Sequence, residues 1–267
     1  MPRSARGAEE VLLYAEHFAP WCERARWVLD HHSIAYRYHE HVPFLGEWAL
    51  RRATRCYSYR VSVPLLVVGD ERIADSYRIA QKAEELGAGP PLFPDNARAA
   101  MWRWNAVSET VMRAGRAMLL ARLSQMPDAL AEQVPWHLPV QWRPFLLPVA
   151  RAGVRFVARK YDTAALLPTA EATMSLALDE LRAALFQDAY LLRSGFSFAD
   201  VAMAAALQFV EPVSGHYIRL GPGSRRAWTA PHFQGCYPDL LAWRDEVYAL
   251  HRGPPQRDLS GGAASSG

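Results

Sequence analysis

VSVPLLVVGDERIADSYRIAQ, residues Val61–Gln81, joins a proline-broken apolar run to the start of a helix. Pro64 interrupts the run Val63 to Val68 near its beginning, a Gly69-Asp70 turn follows, and Arg72-Ile73-Ala74 leads into Asp75-Ser76 and a helical pattern. Proline inside a strand removes a ladder donor, so it belongs at a strand start, at an edge, or where something other than the sheet pairs with the backbone. The last case is expected here. A cis peptide at Val63-Pro64 would turn the N–H and C=O of Val63 outward, toward an extended peptide that pairs with them as an added strand. Asp75 and Ser76 stand where the helix begins, a carboxylate for an ammonium group and a hydroxyl with free amides for a carboxylate. Together they would hold a small zwitterionic peptide by its backbone and head group. A β-hairpin running into a capped helix is the plainer reading of the same residues.

Upstream of this segment, Val11 to Tyr14 is a short β-type run, and Phe18-Ala19-Pro20-Trp21 breaks it and opens a helix, where a first-turn proline loses no hydrogen bond. Trp21, Ala25, Val28 and Leu29 recur at helical spacing, and the helix is expected to end near His31-His32-Ser33. Ile34 to Tyr38 alternates as a second strand. Strand, helix, strand in this order implies a right-handed unit with parallel strands. Phe44 to Arg52 is expected to be a second helix, which makes the order βαβ, helix, ββα.

Downstream, Gly87 to Pro94 is a Gly/Pro linker that stops the helix begun at Ser76. Asp95 caps a long helical segment with Ala99, Trp102, Ala106, Val107, Val111, Ala114 and Met118 on one face. The pattern fails near Pro127, and between Pro135 and Pro148 prolines recur with Trp136 and Trp142 as an irregular connection. Phe145 to Tyr161 carries Arg151, Arg155, Arg159 and Lys160 among apolar residues. This pattern suits a core-packing helix with a solvated basic face better than one lying on a membrane. Helices are also expected over Thr169 to Phe186 and Asp239 to Leu250. In Gly195-Phe196-Ser197-Phe198-Ala199-Asp200 a capping box precedes an apolar helix, Val201 to Val210, with Ser197 as cap and Asp200 reaching back to the cap's amide. The expected domains are 9–88, a linker 89–96, an all-helical domain 97–252 and a Gly/Ser/Pro-rich tail 253–267 without fixed structure.

A chain of 267 residues, 51% of them hydrophobic, buries a substantial core. The formal charge of +3 without a dense Lys/Arg stripe argues against a nucleic-acid partner. Cys22, Cys56 and Cys236 are too few and too scattered for a disulfide framework, which favours a reducing cytoplasm. MPRSARGAEE lacks the apolar stretch of a signal peptide, and no run is long enough to span a bilayer, so a soluble cytoplasmic protein without membrane contact is expected.

FAPWCERAR at 18 to 26, SVPLL at 62 to 66, Asp75-Ser76 and the Gly195–Asp200 box lie in an order that resembles the glutathione S-transferases. The resemblance implies their fold: an α/β thioredoxin-like N-terminal domain (βαβ-ββα) followed by an all-α C-terminal domain. It also implies a glutathione site on Ala19, Trp21, Val63, Pro64, Asp75 and Ser76, a homodimer, and conjugation of glutathione to a hydrophobic small-molecule electrophile held between the domains, a detoxification chemistry. Met101, Trp102 and Trp104 are the residues it suggests for that second pocket. The family activates the thiol with a Ser or Cys at the mouth of the first helix, or a Tyr at the end of the first strand. Ala19 occupies the Ser/Cys position here and has no such group.

Three side chains could replace it. Cys22 lies in the first helical turn, where the dipole lowers a thiol's pKa, although the second Cys of such motifs usually faces inward. Tyr14 ends the first strand and otherwise reads as a packed strand aromatic. His17, in the loop before the helix, would donate to a thiolate when protonated. Backbone amides of Ala19 to Cys22 offer a fourth route. Arg24 and Arg26 would flank the site or pair with carboxylates. His39 and His41 share a strand face, yet no third ligand is placed beside them, so no metal is expected. His31-His32 would complement a helix dipole. Alternatives to a transferase are a non-catalytic ligand- or partner-binding protein of the same fold, and a glutathione-dependent isomerase or peroxidase.

Overall fold

The computed structural model describes residues 10–43, 46–55, 57, 61–133 and 143–253. The chain divides into two compact units at Pro90-Pro91, with residues 42–44 counted in the second. Calls on Cys56, on Trp136 and Trp142, and on the tail after Gly253 lie outside the described residues.

In the first unit β1 (Val11–Ala15), α1 (Pro20–His31) and β2 (Arg37–Glu40) are followed by α2 (Glu47–Thr54), β3 (Leu65–Val68), β4 (Glu71–Ile73) and α3 (Ser76–Leu86). The sheet runs β2-β1-β3-β4, with β1 and β2 parallel and the other two pairings antiparallel. This is the expected βαβ followed by ββα. All of β3 is buried, as the interior strand of a sheet covered on both faces should be. Its alternation divides the core: Leu65 and Val67 pack with Leu50 of α2, Val61, Leu12 and Tyr14, while Leu66 and Val68 turn the other way with buried Leu13 and Ala15. α1 and α3 pack against each other.

Two strands begin later than the residue pattern suggested. β2 starts at Arg37, because Ile34 and Tyr36 are buried as the chain leaves α1 without entering the ladder. β3 starts at Leu65, past the proline that cannot donate to it. The helix foreseen from Phe44 runs from Glu47 to Thr54, and Phe44 itself lies outside the described residues.

The second unit is helical. A 3-10 turn at Asp95–Ala97 leads into α4 (Arg98–Leu123), and α5 (Pro127–Glu132), α6 (Arg143–Lys160), α7 (Thr163–Ala184) and α8 (Phe198–Ala206) follow. A second 3-10 turn (Leu207–Phe209), α9 (Pro222–Trp228), α10 (Pro231–Cys236) and α11 (Pro238–His251) complete it. α4 packs on α7 and α8. The approach is close at Gly115, where a β-carbon would stand 2.3 Å from the β-carbon of Phe209, whose ring stacks on Trp228 at 4.9 Å. On α6, Arg151, Arg155 and Arg159 are exposed. α5, α9 and α10 have no counterpart in the residue pattern, and each begins with proline at its first position.

The box before α8 forms as expected. The Ser197 N–H donates to Oδ2 of Asp200 at 2.9 Å and its hydroxyl to the same oxygen at 2.8 Å, while Oδ1 accepts from the Leu191 N–H at 2.8 Å. Both side chains are fully buried. Burial pushes the Asp200 carboxyl up to about 6 against the lowering effect of these hydrogen bonds. Among the described residues no helix is long and apolar enough to cross a membrane.

Candidate functional site

Strand pairing gathers the residues of interest at one end of the first unit's sheet. β1 ends at Ala15, its parallel partner β2 ends opposite at Glu40, and antiparallel β3 starts opposite Tyr14 at Leu65. The β3–β4 register ends at the pair Leu66↔Ile73, two residues from both Pro64 and Asp75. The β1–α1 loop, the Val63-Pro64 segment and the start of α3 therefore share this end.

The peptide bond Val63-Pro64 is cis. Pairing with β1 begins at Leu65, so Val63 lies outside the ladder. At the start of α3, Asp75 has extended backbone and its Oδ1 accepts from the Arg78 N–H at 3.0 Å, the bond of an N-cap. Asp75 is exposed, whereas Ser76 is buried. No hydrogen-bond partner for the Ser76 hydroxyl occurs among the described residues. An open helix start with a free hydroxyl suits a carboxylate, because first-turn amides point along the axis with the positive end of the dipole.

The β1–α1 loop is built differently. Ala19 is the N-cap of α1 and has no side chain with which to cap it; its carbonyl accepts from the Cys22 and Glu23 amides at 2.9 Å each. Pro20 takes the first helical position, Trp21 is half-buried, and Cys22 is fully buried. The Cys22 Sγ accepts from the Glu16 N–H at 3.3 Å. Burial, with the Glu16 carboxylate nearby, pushes this thiol well up, so Cys22 stays protonated and uncharged at neutral pH. Tyr14 is half-buried, its ring stacked on that of His39 at 4.7 Å.

His17 is held from two sides. Its Nδ1 lies 2.9 Å from Oε1 of Glu40, and its own N–H donates to the same oxygen at 3.3 Å. Arg26 donates to the His17 carbonyl at 2.7 Å and to Oε2 of Glu23 at 2.5 Å. The other oxygen of Glu40 accepts from the Tyr38 hydroxyl at 2.7 Å. Burial alone would raise the Glu40 carboxyl, but the His17 hydrogen bond and charge, with the Tyr38 bond, bring it below the usual range. Burial and the adjacent Glu40 push the Tyr38 hydroxyl up, so it remains a donor. Glu40 is the residue that sequence reasoning missed. Parallel pairing of the first two strands, with Glu40 opposite Ala15, would have been the signal.

Residues 13–91 match the family described as glutathione S-transferase, N-terminal domain. This unit matches a glutathione S-transferase N-terminal domain over almost all of its described residues and has that fold. None of the curated proteins matches the chain in sequence. Among solved structures the chain resembles rice GST1 in complex with glutathione, at 16% identity and a TM-score of 0.57 over 94% of this chain and 95% of the other. A glutathione transferase family member from Pseudomonas fluorescens Pf-5 with bound glutathione aligns at 19% identity and a TM-score of 0.52, over 90% and 94% of the two chains. The β-etherase LigF from Sphingobium sp. strain SYK-6 aligns at 16% identity and a TM-score of 0.55, over 90% and 95%. The whole chain thus has the glutathione-transferase fold, a thioredoxin-like unit followed by a helical one.

Other residues named from the sequence fall as follows. On α4, Met101 and Trp104 are buried and Trp102 is 64% exposed. Arg24 is fully buried. His31 sits with its Nε2 2.9 Å from the Pro90 carbonyl, whereas His32 is buried and burial lowers its pKa, so it offers no cation to the end of α1. His41 is buried and its N–H donates to the Ala15 carbonyl. Cys22 and Cys236 are free thiols. No cluster of three metal-ligating side chains occurs among the described residues.

Proposed function

We propose that the chain binds glutathione at the end of the first unit's sheet and conjugates it to a hydrophobic electrophile. The observation that carries this reading is the start of α3: Ser76 buried with no partner for its hydroxyl among the described residues, next to an exposed Asp75 and beside Val63, which lies outside the ladder. The γ-glutamyl carboxylate would take the Ser76 hydroxyl and first-turn amides, its ammonium group Asp75, and the peptide backbone Val63. The thiol would then lie toward Ala19 and Trp21, at the mouth of α1. Of the three α4 residues named for the second substrate, Met101 and Trp104 are buried in the helical unit and Trp102 is exposed, so Trp102 alone is kept in the proposal.

Calorimetric titration with glutathione tests the reading. Saturable binding at a one-to-one ratio is expected, and no heat of binding at millimolar glutathione would dismiss it. A homodimer belongs to the same proposal; a light-scattering mass near the 30.0 kDa of one chain at micromolar concentration would contradict that part.

One observation favours a second reading. Ala19 carries no side-chain donor and Cys22 is fully buried with its thiol pushed up, which speaks against the family's Ser/Cys route to a thiolate. A chain that binds glutathione without turning it over would show the calorimetric signal and no conjugation of a reactive aryl halide.

A further inference from the structure

We propose that His17 is the general base that takes the proton of the glutathione thiol, with Glu40 as its positioning residue. The inference rests on the glutathione reading above. It starts from the pairing Ala15↔Glu40, which sets Glu40 at the same sheet end as the loop His17-Phe18-Ala19. A carboxylate only accepts hydrogen bonds, so the 2.9 Å contact with Oε1 assigns the proton of the neutral ring to Nδ1 and leaves the lone pair on Nε2. Among the described residues Nε2 has no hydrogen-bond partner, and the side chain is 46% exposed. The ring is fixed from several sides: by Glu40 through both Nδ1 and the backbone N–H, by Arg26 through the His17 carbonyl, and by the edge of Phe18 at 5.1 Å. Tyr38 in turn fixes Glu40. A carboxylate, an imidazole, a phenol and a guanidinium are thus concentrated at this loop, two residues before Ala19.

In the step proposed, the thiol S–H bond breaks, its proton passes to Nε2 of His17, and the electron pair stays on sulfur. The resulting imidazolium keeps Nδ1–H on the Glu40 carboxylate and presents Nε2–H to the thiolate. The thiolate then forms a C–S bond with the electrophilic carbon, the leaving group departs with its electron pair as halide when the substrate is an aryl halide, and His17 returns its proton to water. The titratable and charged groups around the ring are Glu40 and Tyr38 from β2, Arg26, Glu23 and Cys22 from α1, and Glu16 in the loop.

Titrating the ultraviolet thiolate absorbance of bound glutathione against pH reads this step, with calorimetry on the same samples reporting binding. A free thiol titrates at about 8.5, and the wild-type complex is expected to form thiolate below that. Below the wild-type midpoint, where the bound thiol is protonated, His17→Gln should still bind glutathione, while its thiolate midpoint moves up by about one pH unit or more. Its rate with a reactive aryl chloride should fall about 100-fold at neutral pH and recover as hydroxide takes over. Glu40→Gln keeps an acceptor for Nδ1 but removes the charge, so its midpoint should fall between those of the wild type and His17→Gln. An unmoved midpoint in His17→Gln with glutathione bound, or a wild-type midpoint at the free-thiol value, overturns the assignment of His17 alone. Failure of the wild type to bind glutathione overturns the reading beneath it as well.

Discussion

At the start of α8, Ser197 and Asp200 are fully buried and every polar atom of the pair is matched within the chain: the Ser197 N–H and hydroxyl on Oδ2, the Leu191 N–H on Oδ1. At the start of α3 the same two residue types stand in the opposite condition, with Asp75 exposed and the Ser76 hydroxyl without a partner among the described residues. A third start, that of α1, has neither, since the Ala19 side chain offers no polar atom. Helix starts leave several N–H groups unpaired by geometry. What distinguishes a structural start from one available to a ligand is whether the surrounding chain has already supplied their partners.

The comparison breaks first at α8. Asp200→Ala leaves two N–H groups and a hydroxyl unmatched in a buried setting, and should cost about 3–4 kcal/mol in denaturant unfolding while leaving glutathione affinity untouched. A loss below about 1 kcal/mol would mean that the box is not structural. Close in size is its pH dependence. Burial pushes the native Asp200 carboxyl up to about 6 from a usual 3.8, so between those values the native state binds more protons than the unfolded chain. The contribution of this group is therefore complete below the lower value and is lost as pH rises through the upper one, a change of about 3 kcal/mol. Asp200→Asn should remove that part of the slope when unfolding is compared at pH 4 and pH 7; equal slopes in the two proteins would place the group elsewhere.

At the open start of α3 the effect should fall on binding instead. Ser76→Ala is expected to weaken glutathione by about 1–3 kcal/mol, through loss of a charge-assisted hydrogen bond, with little change in unfolding. The reverse pattern would make α3 a second structural start. Smallest is the bare start of α1. Ala19→Ser supplies a residue suited to an N-cap and should lower the pKa of the bound thiol by about one unit, or about 1.4 kcal/mol, with faster conjugation of an aryl halide. No change, alongside rapid wild-type turnover, would show that the thiol is activated from another side.

How far the residues alone led differs between these places. The βαβ-ββα order was readable because strand runs, Pro20 and the Pro64 segment are local signals, and the α8 box because both partners lie within four residues. Three helices were not foreseen for a shared reason. Pro127, Pro222 and Pro231 each stand at a first helical position, where proline is favoured, and each opens a helix of only six or seven residues, too short to show a periodic apolar face. The His17–Glu40 pair escaped notice because its partners are 23 residues apart in sequence, and only the parallel register of β1 and β2 brings them together. For Cys22 the sequence left two readings open, a reactive thiol in the first helical turn and an inward-facing one, and the structure buries it with its thiol pushed up.

Gly115 bears on how this protein could be re-engineered. A methyl group there would strike the Phe209 side chain, and since Phe209 stacks on Trp228, making room means repacking an aromatic pair as well, an overpacking cost of about 1–3 kcal/mol. Trp102 on the same helix is 64% exposed, so substitutions there meet no such packing limit from burial. A combinatorial library aimed at new electrophiles should hold position 115 constant, because variants there would drop out for failing to fold and be miscounted as failures of chemistry.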